Sequence, residues 1–317
     1  MKQSKSDIPI QETGGESITG RFIAKWQRMR AGIMTPFEFV MMCADKGLSF
    51  VTRSDVHMGD SLMARRIIKQ LRSEGCAEKD YYRLKDAKIP VLEGKYKSDF
   101  FSNTIFDVFY CYMYLDDNYS ESEINKYFYL FPEGPYCLKN DLVDVRINPG
   151  DIVMDAGSWI GEFAAYASAK GATCYAFEPF EKNYDVLART AALNPGIVPV
   201  KKAVGRSSGF VSMSGEAGTA AVSENKDGEI IQTSVDDFVR ENNLPRVDFI
   251  KSDIEGFERN LIEGARETLA KFAPKLAICT YHLPDDPEVL PALIKEANPE
   301  YNIVQKHKKL FASVPRR

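Results

Sequence analysis

Asp151-Ile-Val-Met-Asp-Ala-Gly-Ser-Trp-Ile-Gly161 decides the fold of the central part of this 317-residue chain. Within it, three apolar residues lead to the acid Asp155, and a short turn bracketed by Gly157 and Gly161 precedes an alanine-rich run. The apolar run predicts a buried strand, and the alanine-rich run predicts a helix that starts at Glu162. The stretch is therefore expected to form a strand, a tight turn and a helix.

The turn has the features of a ligand-binding bend. Gly157 can adopt a positive φ angle and allows close approach, and Gly161 has no Cβ to hold the new helix away from the strand. Asp155 ends the strand at its carboxyl end, which is the edge where parallel α/β sheets bind ligands. The residues between the glycines are expected beside the ligand, and they are Ser158, Trp159 and Ile160.

A second acid ends the next predicted strand, Thr173-Cys-Tyr-Ala-Phe-Glu178-Pro179. A carboxylate there can accept both hydrogen bonds of a ribose diol, and each charge-assisted bond contributes roughly 1.5–3 kcal/mol. NAD usually requires three glycines and free helix amides for its pyrophosphate, whereas an acid two residues before the first glycine suits the cationic S-adenosylmethionine. The sequence favours S-adenosylmethionine, with an NAD-dependent oxidoreductase or a turn that binds nothing as alternatives.

The composition is that of a globular protein without a basic patch. Hydrophobic residues make up 44% of the chain and the net charge is −4, so a nucleic-acid partner has no electrostatic support. No apolar run approaches the ~18 residues of a membrane span, and the first residues lack the core of a signal peptide, so a cytoplasmic location is expected. Six scattered cysteines predict reduced thiols, because they form no Cys-x-x-Cys pair.

Three regions are predicted along the chain. Residues 1–75 form a polar tail and a helical unit, residues 76–140 an aromatic-rich connecting region, and residues 141–317 a domain of alternating strands and helices. Such alternation predicts a parallel sheet with helices on both faces. The aromatic run from Asp99 to Tyr136 is interpreted as a packing layer, and a platform for a sugar-like or polyketide-like acceptor stays open.

Polar residues also end two later strands. Val247-Asp-Phe-Ile-Lys-Ser-Asp253 is followed by Glu255, and Leu276-Ala-Ile-Cys-Thr-Tyr-His282 ends at a histidine. The chain's histidines are His57, His282 and His307. Since His282 alone follows a predicted central strand, it is the leading candidate for a general base, with Asp253 or Glu255 as its orienting partner or the alternative base. The three could also hold a divalent metal such as Mg²⁺, but their spacing does not require one and the metal is left unassigned.

Residues 137–317 resemble the FkbM family of S-adenosylmethionine-dependent methyltransferases. The matching motifs are Asn148-Pro-Gly-Asp151, Val153-Met-Asp-Ala-Gly-Ser-Trp-Ile-Gly161, Ala176-Phe-Glu-Pro179 with Asn183, Ala203-Val-Gly205, Ser234-Val-Asp-Asp237, Ile250-Lys-Ser-Asp-Ile-Glu-Gly-Phe-Glu258 and Tyr281-His282. Lys251-Ser252 stands where the family more often has Lys-Ile or Lys-Leu. The first 135 residues or so carry no motif of the family.

The resemblance implies a Rossmann-like class I methyltransferase sheet, mostly parallel with an antiparallel last strand, and S-adenosylmethionine as cofactor. It implies O-methylation of a hydroxyl on a sugar, a glycan or a secondary metabolite. The residues implied in cofactor binding are Asp155, Gly157, Ser158, Trp159, Ile160, Gly161, Glu178, Pro179, Asn183, Ala203, Val204 and Asp253. An N- or protein methyltransferase of the same fold and a non-catalytic scaffold remain alternatives, and a homo-oligomer is compatible with the sequence.

Overall fold

The computed structural model describes residues 72–73, 75–84, 86–92, 135–214, 221–224, 229–306 and 308–315. All structural statements below concern these residues, which fall in the unit Ile67–Arg317. Almost all of the predicted N-terminal helical unit, the aromatic run before Tyr136, and the histidines His57 and His307 lie outside them. No helix in the described ranges is both long and apolar enough to span a membrane.

Two short hairpins precede the predicted central strand. The first pairs β1 (Tyr81–Leu84) with β2 (Ala87–Pro90), and the second pairs β3 (Leu138–Lys139) with β4 (Asp144–Val145). The runs Tyr136-Cys-Leu-Lys-Asn and Leu142-Val-Asp-Val-Arg predict the second hairpin, whereas the first hairpin was not predicted. Beyond them the elements are β5 (Ile152–Ala156), α1 (Glu162–Ala169), β6 (Thr173–Phe177), α2 (Glu181–Leu193), β7 (Ile197–Val200), β8 (Ala203–Val204), β9 (Gly209–Ser214), β10 (Ala221–Glu224), β11 (Ile230–Thr233), α3 (Val235–Glu241), β12 (Phe249–Ser252), α4 (Glu258–Glu263), α5 (Arg266–Phe272), β13 (Lys275–Cys279), α6 (Asp286–Ala297), β14 (Asn302–Lys306) and β15 (Lys309–Ser313).

A seven-stranded sheet forms the centre, in the order β7-β6-β5-β12-β13-β15-β14. The strands from β7 to β13 pair in parallel, and β15 is antiparallel to both of its neighbours. Strands buried on both faces, such as β12, alternate with helices that cover the sheet, as all-parallel pairing requires. This confirms the predicted α/β fold, with the Rossmann-like class I arrangement and its antiparallel last strand.

The order of the strands fixes where a site can form. From β5 the sheet is extended on one side by β6 and β7, and from the adjacent β12 it is extended on the other side by β13. Ligands bind at the carboxyl ends of the strands at such a point, where the strand order reverses. The predicted site residues Asp155, Glu178 and Asp253 end or follow three neighbouring strands of this sheet.

Two segments show more structure than their sequence indicates. The stretch from Gly205 to Gly228 is rich in glycine, serine and charge, which predicts a loop or a loose hairpin, and β9 and β10 pair there as an antiparallel hairpin within a second sheet ordered β10-β9-β11-β8. The spacing of Leu261, Ile262, Ala265 and Leu269 predicts one helix from Phe257 to Phe272, and the structure has two helices there, α4 and α5. Gly264 lies between them, at a point where the backbone of Gly205 approaches so closely that a Cβ would overlap it, and Asp236 caps α5 by accepting hydrogen bonds from the amides of Glu267 and Thr268.

The first hairpin is attached to the sheet domain. Strand β2 packs on α1 and α2, and the backbone of Lys88 exchanges two hydrogen bonds of 2.9 and 2.6 Å with the side chain of Asn194. Leu92 is buried against Ile160 and Val186. The family motifs therefore begin after the predicted boundary near residue 141, but the first hairpin and Leu92, which lie before it, pack on the same domain.

Candidate active site

The bend after β5 lies directly against the chain that leaves β12. Gly157 has a φ angle of 76°, and a Cβ there would overlap the carbonyl oxygen of Asp253. The predicted need for glycine is therefore real, and its cause is a neighbouring backbone. Gly161 was expected to let the new helix approach the strand, but a Cβ there would instead meet Leu187 and Thr190 of α2.

The amides of the bend are already used within the protein. Gly157 and Ser158 donate to the carbonyl oxygen of Phe177 at 3.2 and 2.9 Å, and Trp159 donates to Glu178 at 3.1 Å. A pyrophosphate would need such amides free. The geometry therefore disfavours the NAD alternative, because a dinucleotide would have to displace these bonds.

Asp155 lies beneath the bend and is paired with a lysine. Its side chain is inaccessible, and its Oδ1 lies 3.0 Å from the Nζ of Lys251, which also donates to the carbonyl oxygen of Gly157 at 2.5 Å. Burial lowers the pKa of Lys251, but Asp155 and nearby carboxylates outweigh it and raise that pKa, so the ammonium stays charged. The structure thus differs from the predicted direct contact between Asp155 and the donor: the carboxylate neutralises a buried lysine and supports the bend.

Glu178 holds the opposite side of the bend. Its carboxylate accepts hydrogen bonds from the amides of Trp159 and Phe180 and, at 3.3 Å, from the side chain of Asn183. With only 4% of the residue exposed, burial raises its pKa to about 7 although these donors oppose the shift. Three predicted cofactor residues, Trp159, Glu178 and Asn183, are therefore joined in one network.

The other predicted cofactor residues occupy varied positions. Ser158 is buried and donates its hydroxyl to the carbonyl oxygen of Asp155, and the side chain of Ile160 packs in the core. Pro179 follows Glu178 and is half-buried. Ala203 and Val204 are buried in β8, beside β11, and belong to the second sheet.

Asp253, after β12, is fixed by two tyrosines. Tyr136 donates to its Oδ2 at 2.5 Å and Tyr281 donates to its Oδ1 at 3.0 Å. Burial would raise the pKa of Asp253, but Lys251, Tyr136 and Lys309 outweigh burial and lower it. The residue is therefore an anchored carboxylate ion.

His282 faces three carboxylates. Its Nδ1 lies 3.0 Å from Glu258, and its Nε2 lies 3.5 Å from both Asp253 and Glu255. Burial lowers the pKa of His282, but these carboxylates, led by Glu258, raise it to about 9. The structure brings the three predicted catalytic residues together, yet it holds the predicted base in its protonated form at neutral pH, in which an imidazole cannot accept a proton.

Sequence reasoning gave no role in this cluster to Glu258, Tyr136 or Tyr281, although Glu258 and Tyr281 lie in the motifs that resemble the family. Glu258 begins α4, is fully buried, and accepts hydrogen bonds from the amides of Ile254 and Gly256. Its capping position four residues after Ile254 was a local signal that could have been read. Tyr136 carries no such signal, because it lies 117 residues from Asp253 in sequence.

The order and directions of the strands are those of the class I methyltransferase fold, whose enzymes use S-adenosylmethionine as methyl donor. Residues 151–301 match the family model described as the methyltransferase FkbM domain. The predicted resemblance to this family is confirmed over these residues.

Known proteins are similar to parts of this chain. The hexuronic acid methyltransferase AglP of Haloferax volcanii is 30% identical over 152 residues, which cover 46% of this chain and 62% of that protein. The chain thus spans less than two thirds of that relative. Methyltransferase FkbM from Methylobacillus flagellatus is 20% identical with a TM-score of 0.44, covering 68% of this chain and 60% of the other. Aeropyrum pernix fibrillarin, solved with natively bound S-adenosyl-L-methionine, is 15% identical with a TM-score of 0.35, covering 55% and 70%.

Proposed function

We propose that this protein methylates a hydroxyl group of a sugar, a glycan or another small molecule. The observation that carries the proposal is the juxtaposition of two parts at one sheet edge. Glu178, the carboxylate proposed to bind the ribose of the donor, flanks the bend after β5. The cluster of Asp253, Glu255 and His282 follows the adjoining strands β12 and β13.

Glu178 is suited to the ribose of the donor. As a buried carboxylate it presents a strong acceptor for the two hydroxyls, and its amide partners fix its orientation before the donor arrives. Trp159, which shares this network, has a φ angle of 50° and so shapes the bend beside the nucleoside. Asp253 follows β12, the strand that pairs with β5.

Methyl transfer places simple demands on the reacting end. The acceptor oxygen attacks the methyl carbon, a C–O bond forms as the S–C bond breaks, S-adenosylhomocysteine leaves, and the hydroxyl proton passes to a base. Because both nitrogens of His282 already face carboxylates, we assign the base to Glu255, whose side chain is 42% exposed and lies at the rim of the cluster. His282 then acts as the cation that holds Glu255 and Asp253 in place.

Two exposed apolar side chains support a sugar acceptor. Tyr281 and Leu283 flank His282 and are 38% and 37% exposed, and the ring of Tyr281 lies 4.2 Å from the imidazole between centroids. The apolar face of a sugar ring packs on such a surface while its hydroxyls reach polar neighbours. The relative named as a hexuronic acid methyltransferase is consistent with this acceptor class.

Labelled donor and defined acceptors test the proposal. The full chain is incubated with isotope-labelled S-adenosylmethionine and hexuronic acid-containing oligosaccharides, and the product is treated with mild base. A methyl ether on a hydroxyl survives this treatment, whereas a methyl ester on a carboxylate is cleaved. Label retained after base, and lost with Glu255→Gln, supports the proposal. Label found only as ester, or only on nitrogen with amine acceptors, refutes it.

A further inference from the structure

We propose that Asp253, Glu258 and His282 bind one divalent transition-metal ion, with Mn²⁺ as the representative ion. These residues come from three elements that meet at the sheet edge: the end of β12, the start of α4 and the end of β13. Each offers one ligand atom, and the three atoms lie within 4.8 Å of one another. The sequence had suggested a possible set with Glu255, and the turn before α4 places Glu258 there instead.

The imidazole of His282 is the observation that points to a ligand. Its side chain is only 8% exposed, and neither ring nitrogen makes an aligned hydrogen bond to any described residue, although carboxylate oxygens lie 3.0 and 3.5 Å away. Buried polar groups normally find an aligned partner. A divalent ion between these groups would take the place of the proton that His282 carries in the metal-free protein, because a ligating imidazole nitrogen is deprotonated.

The two carboxylates are held as metal ligands usually are. Tyr136 and Tyr281 donate to the two oxygens of Asp253, and the amides of Ile254 and Gly256 donate to the two oxygens of Glu258. Such outer hydrogen bonds orient ligating carboxylates and leave a lone pair of each oxygen for the ion.

The mixed ligand set indicates the class of metal. One imidazole nitrogen with two carboxylate oxygens suits Mn²⁺, Fe²⁺ or Zn²⁺ better than Mg²⁺, which prefers oxygen and water ligands. At metal–ligand distances of roughly 2.0–2.2 Å, adjacent ligand atoms lie about 3 Å apart and opposed ones about 4.0–4.4 Å, so the side chains have to draw closer around the ion than they stand in its absence. Three protein ligands leave positions open for an acceptor oxygen.

The ion would also explain how the acceptor is activated. A hydroxyl coordinated to a divalent metal loses its proton more readily, and Glu255 lies beside His282 to receive it. This use of the metal rests on the proposed function. Binding of the ion does not, and the two can be measured separately.

Titration with Mn²⁺ alone tests the site. The full chain is treated with EDTA and dialysed, and free Mn²⁺ is followed by electron paramagnetic resonance. We expect saturable binding of a single Mn²⁺ per chain, weakened by about 10- to 100-fold in His282→Ala and in Glu258→Gln. Glu255→Gln is the matched control and should bind within about threefold of the unaltered chain, because its carboxylate is outside the ligand set.

Further variants keep the test decisive. Glu258 also caps the turn, so circular dichroism checks each variant, and Asp253→Asn replaces Glu258→Gln if the latter does not fold. Absence of Mn²⁺ binding in the unaltered chain overturns the site. So does binding that His282→Ala and Asp253→Asn both leave unchanged, or binding that Glu255→Gln removes and Glu258→Gln preserves. Calorimetric titration with S-adenosylmethionine, without metal, separately reports whether the proposed donor site exists.

Discussion

Tyr136 donates its phenolic hydrogen to Asp253 across 2.5 Å, although the two residues are 117 positions apart in sequence. The same ring lies beneath two buried ammonium groups, with the Nζ of Lys309 at 4.4 Å and that of Lys251 at 5.1 Å from its centroid. A residue outside the family-matched region thereby sets the orientation of the carboxylate at the centre of the cluster.

Tyr136→Phe should lower kcat while leaving the affinity for S-adenosylmethionine nearly unchanged. The substitution removes one hydrogen bond to a charged group, which contributes about 1.5–3 kcal/mol, and keeps the ring between the lysines. Steady-state kinetics and calorimetry measure the two quantities. Tyr166→Phe is the matched control, because Tyr166 is a buried tyrosine of α1 whose hydroxyl faces Cys137. An equal loss of kcat in both variants would contradict the positioning role.

Donor affinity should fall as the pH drops below about 7, because Glu178 has a raised pKa of about 7 and accepts ribose hydrogen bonds best when ionised. If the ionised form alone binds well, affinity at pH 6 should be roughly tenfold lower than at pH 8. Glu178→Gln should weaken binding by roughly 1–3 kcal/mol and remove this difference. Calorimetry at both pH values decides, and a pH dependence that persists in Glu178→Gln would assign it to another group.

The same shift has the opposite effect on stability. A folded-state pKa raised from the ordinary 4.5 to about 7 stabilises the fold at low pH, and this contribution is lost as pH rises from about 4.5 to 7. The loss is at most about 3 kcal/mol. Urea unfolding should therefore show Glu178→Gln gaining stability relative to the unaltered chain between pH 5 and pH 8. A constant difference would mean that Glu178 is ionised throughout.

Lys251→Met should destabilise the protein by about 3–5 kcal/mol, because it leaves the buried carboxylate of Asp155 without its cation. The double variant Lys251→Met with Asp155→Leu should recover much of this loss, since no isolated charge remains. Urea unfolding of the two single variants and the double variant forms a complete thermodynamic cycle. Strictly additive losses would show that the two residues are not coupled.

Gly157→Ala should be far more destabilising than Gly150→Ala. Both glycines have φ near 80°, but a Cβ on Gly157 would overlap the backbone of Asp253, whereas a Cβ on Gly150 meets no atom within 4 Å. We expect a cost of roughly 1–2 kcal/mol for Gly150→Ala from conformation alone. For Gly157→Ala we expect roughly 2–5 kcal/mol, because displaced backbone adds to the strain. Similar melting temperatures for the two variants would exclude the close approach.

Local sequence patterns predicted many features of this molecule, because those features depend on residues that are close together in sequence. The strand, bend and helix around Asp155 and the acid Glu178 after the next strand follow from apolar runs and glycines that neighbour them in sequence. These features placed Asp253, Glu255 and His282 at one edge, and the structure brings them together.

The remaining features depend on tertiary contacts. Lys251 occupies a position inside a strand, and nothing in the sequence shows that it lies against Asp155 on the adjacent strand. The protonation of His282 follows from Glu258, which reaches it only because α4 starts after a bend at Glu255 with a positive φ. The break at Gly264 likewise requires the distant backbone of Gly205.

The position of β15 has a practical consequence for anyone who shortens this protein. The family-matched region ends at residue 301, yet β15 pairs with β13, Leu92 packs against Ile160 and Val186, and Tyr136 bonds to Asp253. A recombinant fragment trimmed to residues 151–301 would leave one edge of β13 unpaired and would remove one of the two tyrosines that hold Asp253. If that fragment were inactive or aggregated, the cause would be the lost contacts, and the result would not test the activity of the full chain.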